Sequence, residues 1–129
     1  MYLSYAIALN KCTTHAYQNH QIIKAVIEKT IRFKDRLNDK KIVNMGELKT
    51  LAGIGMALKS AKSAHVLDFG GGGGYHYFLT KQFFPQVIEL HWRVVETANM
   101  VAEAKKMATA ELDFVSNITE AKNDLGKID

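Results

Sequence analysis

Apolar positions along the chain change their period twice. Between Thr13 and Asn38, in TTHAYQNHQIIKAVIEKTIRFKDRLN, the residues Ile22, Ile23, Val26, Ile27, Ile31 and Leu37 return at the spacing of one helix face. Thr13 or Thr14 can cap the start of that helix. A weaker helical pattern runs from Gly46 to Ala61 through Leu48, Leu51, Ala52 and Leu58, and Gly53 and Gly55 each lower its stability by ~1 kcal/mol relative to alanine. After Ser63 the texture shifts, because AHVLDF is a compact apolar run bounded by five consecutive glycines, the pattern of a buried parallel strand. Tyr75 to Phe84 then reads as a helix stopped at Pro85, and LHWRVVE (Leu90 to Glu96) as a second strand. ANMVAEAKKMATA reads as a helix and LDFVS (Leu112 to Ser116) as a third strand.

Strand, glycine turn, helix, strand, helix, strand is a βαβαβ unit, which requires a parallel sheet with right-handed crossovers. The expected class is therefore α/β, with a helical N-terminal region over residues 1–62 and the βαβαβ unit over 63–129. A length of 129 residues fits one domain, and 47% hydrophobic with 23% charged residues and a single Pro is the balance of an ordered chain. The net charge of +4 comes from lysines and arginines scattered along the chain; no dense basic block with interleaved aromatics is present, which argues against a nucleic-acid partner. Cys12 is the only cysteine, so an internal disulfide and a cysteine zinc site are excluded and a reducing, cytoplasmic setting is expected. No window reaches the ~18 apolar residues of a membrane span, and MYLSYAIALNKC lacks the basic leader and cleavage site of a secretory signal.

A strand that feeds a glycine turn and then a helix builds a nucleotide site, because glycines admit a ligand close to the backbone and the helix start offers unpaired N–H groups. The dinucleotide fingerprint G-x-G-x-x-G fails here. Counted from Gly70 and Gly72 its third glycine falls on Tyr75, and counted from Gly71 and Gly73 it falls on His76. The string VLDFGGGGG instead fits V-L-D-x-G-x-G-x-G, with Asp68, Gly70, Gly72 and Gly74 at its marked positions.

In these residues the chain resembles the class I S-adenosylmethionine-dependent methyltransferases, whose donor-binding loop has that pattern. The donor has no phosphate, and its ammonium suits an acidic strand end such as Asp68, which would repel a pyrophosphate. Glu96, 22 residues after Gly74 at the end of the second strand, offers an acceptor-only carboxylate to ribose hydroxyls. More narrowly, VLDFGGGGGYHYF with WRVVETANM is similar to a group of uncharacterised bacterial methyltransferases, from about Tyr5 to Asp129. The resemblance implies a Rossmann-like methyltransferase fold with strands in the order 3-2-1. It also implies donor contacts at Asp68, Gly70, Gly72, Gly74 and Glu96, with Tyr75 over the donor pocket, Thr97 beside the adenine and Asn117 near its amine.

Two other readings stay open. Glu96 and the glycine turn would equally serve an NAD(P)-dependent oxidoreductase, the missing third glycine weighing against it. The resembling fold has seven strands in the order 3-2-1-4-5-7-6, of which only three are found before the closing GKID, so the acceptor half is missing and methyl transfer by this chain alone is doubtful. Strand 1 would then expose an apolar edge able to pair with a partner chain or a second copy, which makes a non-catalytic interaction module the third reading. No motif names a methyl acceptor or a general base. His76 reads as a surface residue of its helix, His15 and His20 miss the i,i+4 spacing of a metal pair, and most of Tyr75, Tyr77, Phe78, Phe83, Phe84 and Trp92 read as core.

Overall fold

The structure, a computed structural model, describes residues 19–38 and 44–125. Cys12, Thr13, Thr14, His15 and the GKID segment lie outside them. Helix α1 spans His20–Asn38, and Asn19 caps it by accepting the Gln21 N–H at 2.8 Å. Its buried stripe is Ile23, Ile27, Thr30, Phe33 and Leu37. Ile22 and Ile31, read as part of that face, are 41% and 43% exposed. At about 100° per residue they flank the stripe, one on each side, and Thr30 takes a core position by donating its hydroxyl back to Val26 O at 3.1 Å.

Helix α2 spans Met45–Leu58 and starts in a capping box: Asn44 Oδ1 accepts the Glu47 N–H at 3.0 Å while Glu47 Oε2 accepts the Asn44 N–H at 2.6 Å. It stops short of the expected Ala61 because Lys59 turns to φ 47, its N–H bonding Gly55 O at 2.9 Å.

The sheet holds β1 (Ser63–Phe69), β2 (Glu89–Val95) and β3 (Leu112–Val115), all parallel, with β2 in the middle. Helix α3 (Tyr75–Phe83) joins β1 to β2, α4 (Ala98–Ala104) with a short 3-10 turn joins β2 to β3, and α5 (Ile118–Leu125) follows β3. Register aligns Val66 with Trp92 and Leu112, and Asp68 with Val94 and Phe114. Alternation along the strands sends this set to one face. There Ala64, Leu90, Trp92, Val94, Leu112 and Phe114 form the core with Ile23 and Ile27 of α1, Tyr77 of α3 and Met100 and Ala104 of α4.

The opposite face is half dressed. Ala121 of α5 covers Val95, Val115 and Leu67, while further down His65 and His91 meet edge-on at 4.8 Å and Arg93 approaches Asp113 at 3.8 Å. For this reason β1, read as fully buried, buries only Ala64 completely and leaves Phe69 76% exposed. Among the described residues β1 pairs with β2 alone. No described helix is long and apolar enough to cross a membrane.

Candidate functional site at the strand ends

The glycine turn is a packed element. Gly71 to Gly74 are buried, and Gly70, Gly72 and Gly74 hold φ of 76°, 56° and 83°, a region that other residues enter at a cost. Gly73 is required for a different reason: a Cβ there would stand 2.7 Å from Met107 Cε and 2.8 Å from Thr30 Oγ1. The loop therefore lies directly against α1 and the turn after α4. It closes on itself through Gly74 N–H to Gly71 O at 3.0 Å, and Gly74 O receives the Phe78 N–H at 3.3 Å as α3 begins.

Glu96 ties this loop to the end of β2. One carboxylate oxygen accepts the Gly72 N–H at 3.0 Å and the other the Thr97 N–H at 3.1 Å. Its own N–H bonds Val115 O at 3.0 Å, which sets the residue at the rim of the sheet. Beside it opens a cleft of 410 Å³ lined by Phe69, Gly70, Val95, Glu96, Thr97, Ser116, Asn117 and Ile118. Within that lining the Thr97 hydroxyl is buried and has no hydrogen-bond partner. A buried hydroxyl left unpaired costs on the order of 1–3 kcal/mol, so such a group marks a place where a ligand atom can be received. Asn117 spends its carbonyl oxygen on the Thr119 N–H at 2.8 Å, which leaves its NH₂ as the end able to serve a ligand.

Gly70, Glu96, Thr97 and Asn117 thus share one cleft, and Gly72 is hydrogen-bonded to it. Gly74 lies deeper, over Leu112, as the residue that starts α3. Asp68 and Tyr75 are placed elsewhere. Asp68 Oδ2 accepts the Trp92 indole N–H at 3.2 Å and the His76 Nδ1–H at 3.2 Å. The Asp68 hydrogen bond, opposed by partial burial, raises the His76 pKa above its ordinary value. His76, read from the sequence as a free helix-surface residue, is therefore a member of a carboxylate–imidazole pair. The signal was available in principle, since a strand end and the first turn of the following helix face each other across a glycine turn.

Tyr75 stacks on Phe33 with ring centroids 4.0 Å apart, and its phenol lies beside the Glu47 carboxylate. Burial and the Glu47 carboxylate push its phenol up to about 12. It borders two cavities, a 590 Å³ groove with Arg32, Arg36 and Glu47, and a 240 Å³ cavity over the loop with Val26, Lys29, Thr30, Gly70 to Gly73 and His76. The described residues contain no cluster of three His, Cys, Asp or Glu side chains that could hold a metal ion. Compared with known proteins, the chain matches no family model, no curated protein and no solved structure.

Proposed function

We propose that the chain binds S-adenosylmethionine across the strand ends, as the donor-binding part of a class I methyltransferase. The reading rests on the cleft at Glu96, where a carboxylate held against a left-handed glycine loop and a buried, unpartnered Thr97 hydroxyl line one 410 Å³ space. A carboxylate has about four lone-pair directions, and two backbone N–H groups leave room on Glu96 for ribose hydroxyls. Phe69 and Ile118 supply apolar walls for a base, and the Asn117 NH₂ suits a ring nitrogen of adenine better than its amine, because the Asn117 oxygen is engaged in capping α5. The aminoacyl end would run over Gly70 and Gly72 into the loop cavity, where Lys29 can meet its carboxylate.

When bound, the donor supplies an electrophilic methyl on a sulfonium sulfur. The protein's part is to bind and orient. Asp68, assigned to the donor ammonium by resemblance, keeps its carboxylate on His76 and Trp92, so an ammonium contact would have to share it. A nicotinamide dinucleotide could use Glu96 in the same manner, but the helix start carries Tyr75 and His76 where the dinucleotide fingerprint has a third glycine for close packing of the helix.

Isothermal titration with S-adenosylhomocysteine tests the reading. We expect one site per chain, with Glu96→Gln weakening it about tenfold or more as one charged acceptor is lost. Absence of binding to a chain that melts cooperatively overturns the proposal, as does quenching of Trp92 fluorescence by NADH in its place.

A further inference from the structure

The 590 Å³ groove beside Tyr75 carries charge that the Glu96 cleft does not use. Helix α1 lines it with Lys29, Arg32, Phe33 and Arg36, the start of α2 with Glu47 and the start of α3 with Tyr75. Lys29, Arg32 and Arg36 recur at i, i+3 and i+7, so about 100° per residue sets all three on one stripe of α1. Against these three cations the described lining has one carboxylate, Glu47, an excess of two positive charges. Glu47 is 3% exposed and already bonded to the Asn44 N–H and to Arg36.

Arg36 sits in the last turn of α1, where the helix dipole favours a cation, but Lys29 and Arg32 lie further back and gain nothing from it. Repulsion between like charges at i,i+3 and i,i+4 opposes the arrangement. Arg32 approaches Glu28 only to 3.7 Å, between side chains 76% and 50% exposed, too loose a contact to neutralise it. The Arg36 guanidinium is already placed: Glu47 holds one nitrogen and its carbon stands 5.1 Å over the Phe33 ring, which leaves most of its five N–H groups for a ligand. Asn44, at the groove's edge, gives its Oδ1 to the Glu47 N–H, so its NH₂ is the end that can donate. Guanidinium, ammonium and amide N–H groups thus meet in one space whose single carboxylate is engaged, the donor set of an anion site. A guanidinium fork fits a phosphate, and two surplus charges match the roughly −1.5 to −2 of a phosphate monoester near neutral pH. The volume is that of a small-molecule site.

We infer that this groove binds a small phosphate monoester, its phosphate held by Arg32 and Arg36 and its remainder directed past Lys29 and Tyr75 toward the glycine loop. Lys29 and Tyr75 border both the groove and the cavity over that loop, so a ligand anchored here has the place of a second substrate. None of the residues that line the Glu96 cleft lines the groove, and the inference goes beyond the donor reading without depending on it.

Isothermal titration of the whole chain with phenyl phosphate, inorganic phosphate and benzoate tests it. We expect saturable binding of phenyl phosphate, weaker binding of inorganic phosphate, which cannot reach Tyr75, and about tenfold weaker binding of benzoate, which has the ring and one charge fewer. The lining has no histidine, Glu47 ionises below its ordinary 4.5 and Tyr75 only at about 12, so between about pH 5 and 8 the second phosphate proton governs binding. Affinity for phenyl phosphate should rise about tenfold over that span while that for benzoate stays level. Arg32→Gln, at an exposed side chain, should weaken phenyl phosphate about fivefold or more and leave the melt and S-adenosylhomocysteine binding unchanged. Ala25→Glu, which sets a carboxylate in the groove wall at an exposed helix position, should abolish phosphate binding with an unchanged melt. Lys24→Gln, which removes a cation of the same helix outside the lining, should alter nothing. Binding that falls as much with Lys24→Gln as with Arg32→Gln, that survives Ala25→Glu, or that is level with pH overturns the inference, since each marks a diffusely charged helix face. Absence of phosphate binding overturns it too, and S-adenosylhomocysteine binding by the same chain would then leave the donor reading standing; phosphate binding without S-adenosylhomocysteine binding keeps the groove and removes the donor.

Discussion

Glu47→Ala should be the most damaging single substitution outside the hydrophobic core. Glu47 is 3% exposed, yet it is charged, and two elements are bonded to it, the Asn44 N–H at the start of α2 and Arg36 from α1, with the Tyr75 phenol from the start of α3 beside them. Burial opposes the charge, but these hydrogen bonds outweigh it and the carboxyl ionises below its ordinary value. Truncation removes one half of a capping box, whose charge-assisted hydrogen bond to the Asn44 N–H is worth about 1.5–3 kcal/mol. Arg36 is 36% exposed and can rehydrate, so the full 3–5 kcal/mol of a broken buried pair does not apply. The loss is about 2 kcal/mol, or roughly 6–12 °C in melting temperature for a chain of this size. Glu47→Gln, which keeps the shape and one acceptor, should cost about half. Urea melts followed by circular dichroism measure both, and a double-mutant cycle of Glu47→Gln with Arg36→Gln measures the coupling of that pair. A loss under about 0.5 kcal/mol for Glu47→Ala would mean that α1 and α2 are not joined through this carboxylate.

Gly53→Ala should raise stability by roughly 0.5–1 kcal/mol, since the new methyl meets open space inside a helix, whereas Gly55→Ala should gain little because its Cβ would press on Phe84 at 3.1 Å; equal thermal shifts for both would contradict the packing described. Thr97→Val should leave the melt unchanged or slightly higher while weakening S-adenosylhomocysteine about fivefold, the value of one hydrogen bond near 1 kcal/mol; unchanged affinity would remove the hydroxyl from the site. The stabilising effect of the raised His76 pKa is fully present below the ordinary value of 6.5 and is lost as pH climbs through the higher folded value. Those of the lowered carboxyls Glu47 and Glu111 are present above 4.5 and lost as pH falls through the lower folded values. Urea midpoints should therefore peak between these limits, and Asp68→Asn should flatten the alkaline side; a midpoint still rising above neutrality in the native chain would contradict the Asp68–His76 pair.

Strand positions were legible because each strand is a short apolar run next to a glycine, proline or polar break, and β1, β2 and β3 fall within one residue of AHVLDF, LHWRVVE and LDFVS. The α/β class followed from their alternation with helices, and the sheet order places β2 between its neighbours as that alternation implies. Which side of α1 faces the sheet was less clear, because Thr30 counts as polar in any periodicity yet is fully accommodated by a bond to its own helix, while Ile22 and Ile31 count as apolar and flank the contact. The burial of β1 was misjudged for a related reason: it depends on what covers an edge and a second face, and α5 reaches only the upper end of that face. Glu47 could not be picked out, since its value arises from Arg36, 11 residues before it. Glu96 was singled out by its spacing from the loop; its hydrogen bond to Gly72 was not foreseen, because a backbone donor leaves no trace in residue identity.

That hydrogen bond changes the thermodynamics of ligand capture. Holding one residue in a single backbone conformation costs about 1–2 kcal/mol, and glycine, with the widest freedom, lies at the upper end. A five-glycine segment that ordered only around its ligand would charge that whole cost against affinity, enough to turn a micromolar site into an undetectable one. Here the Glu96 carboxylate, the Gly74 turn and the contact with α1 order the loop during folding, when the core can compensate. A ligand bound as proposed would meet a surface already in shape, and the entropy of association would be confined to the ligand and a few side chains.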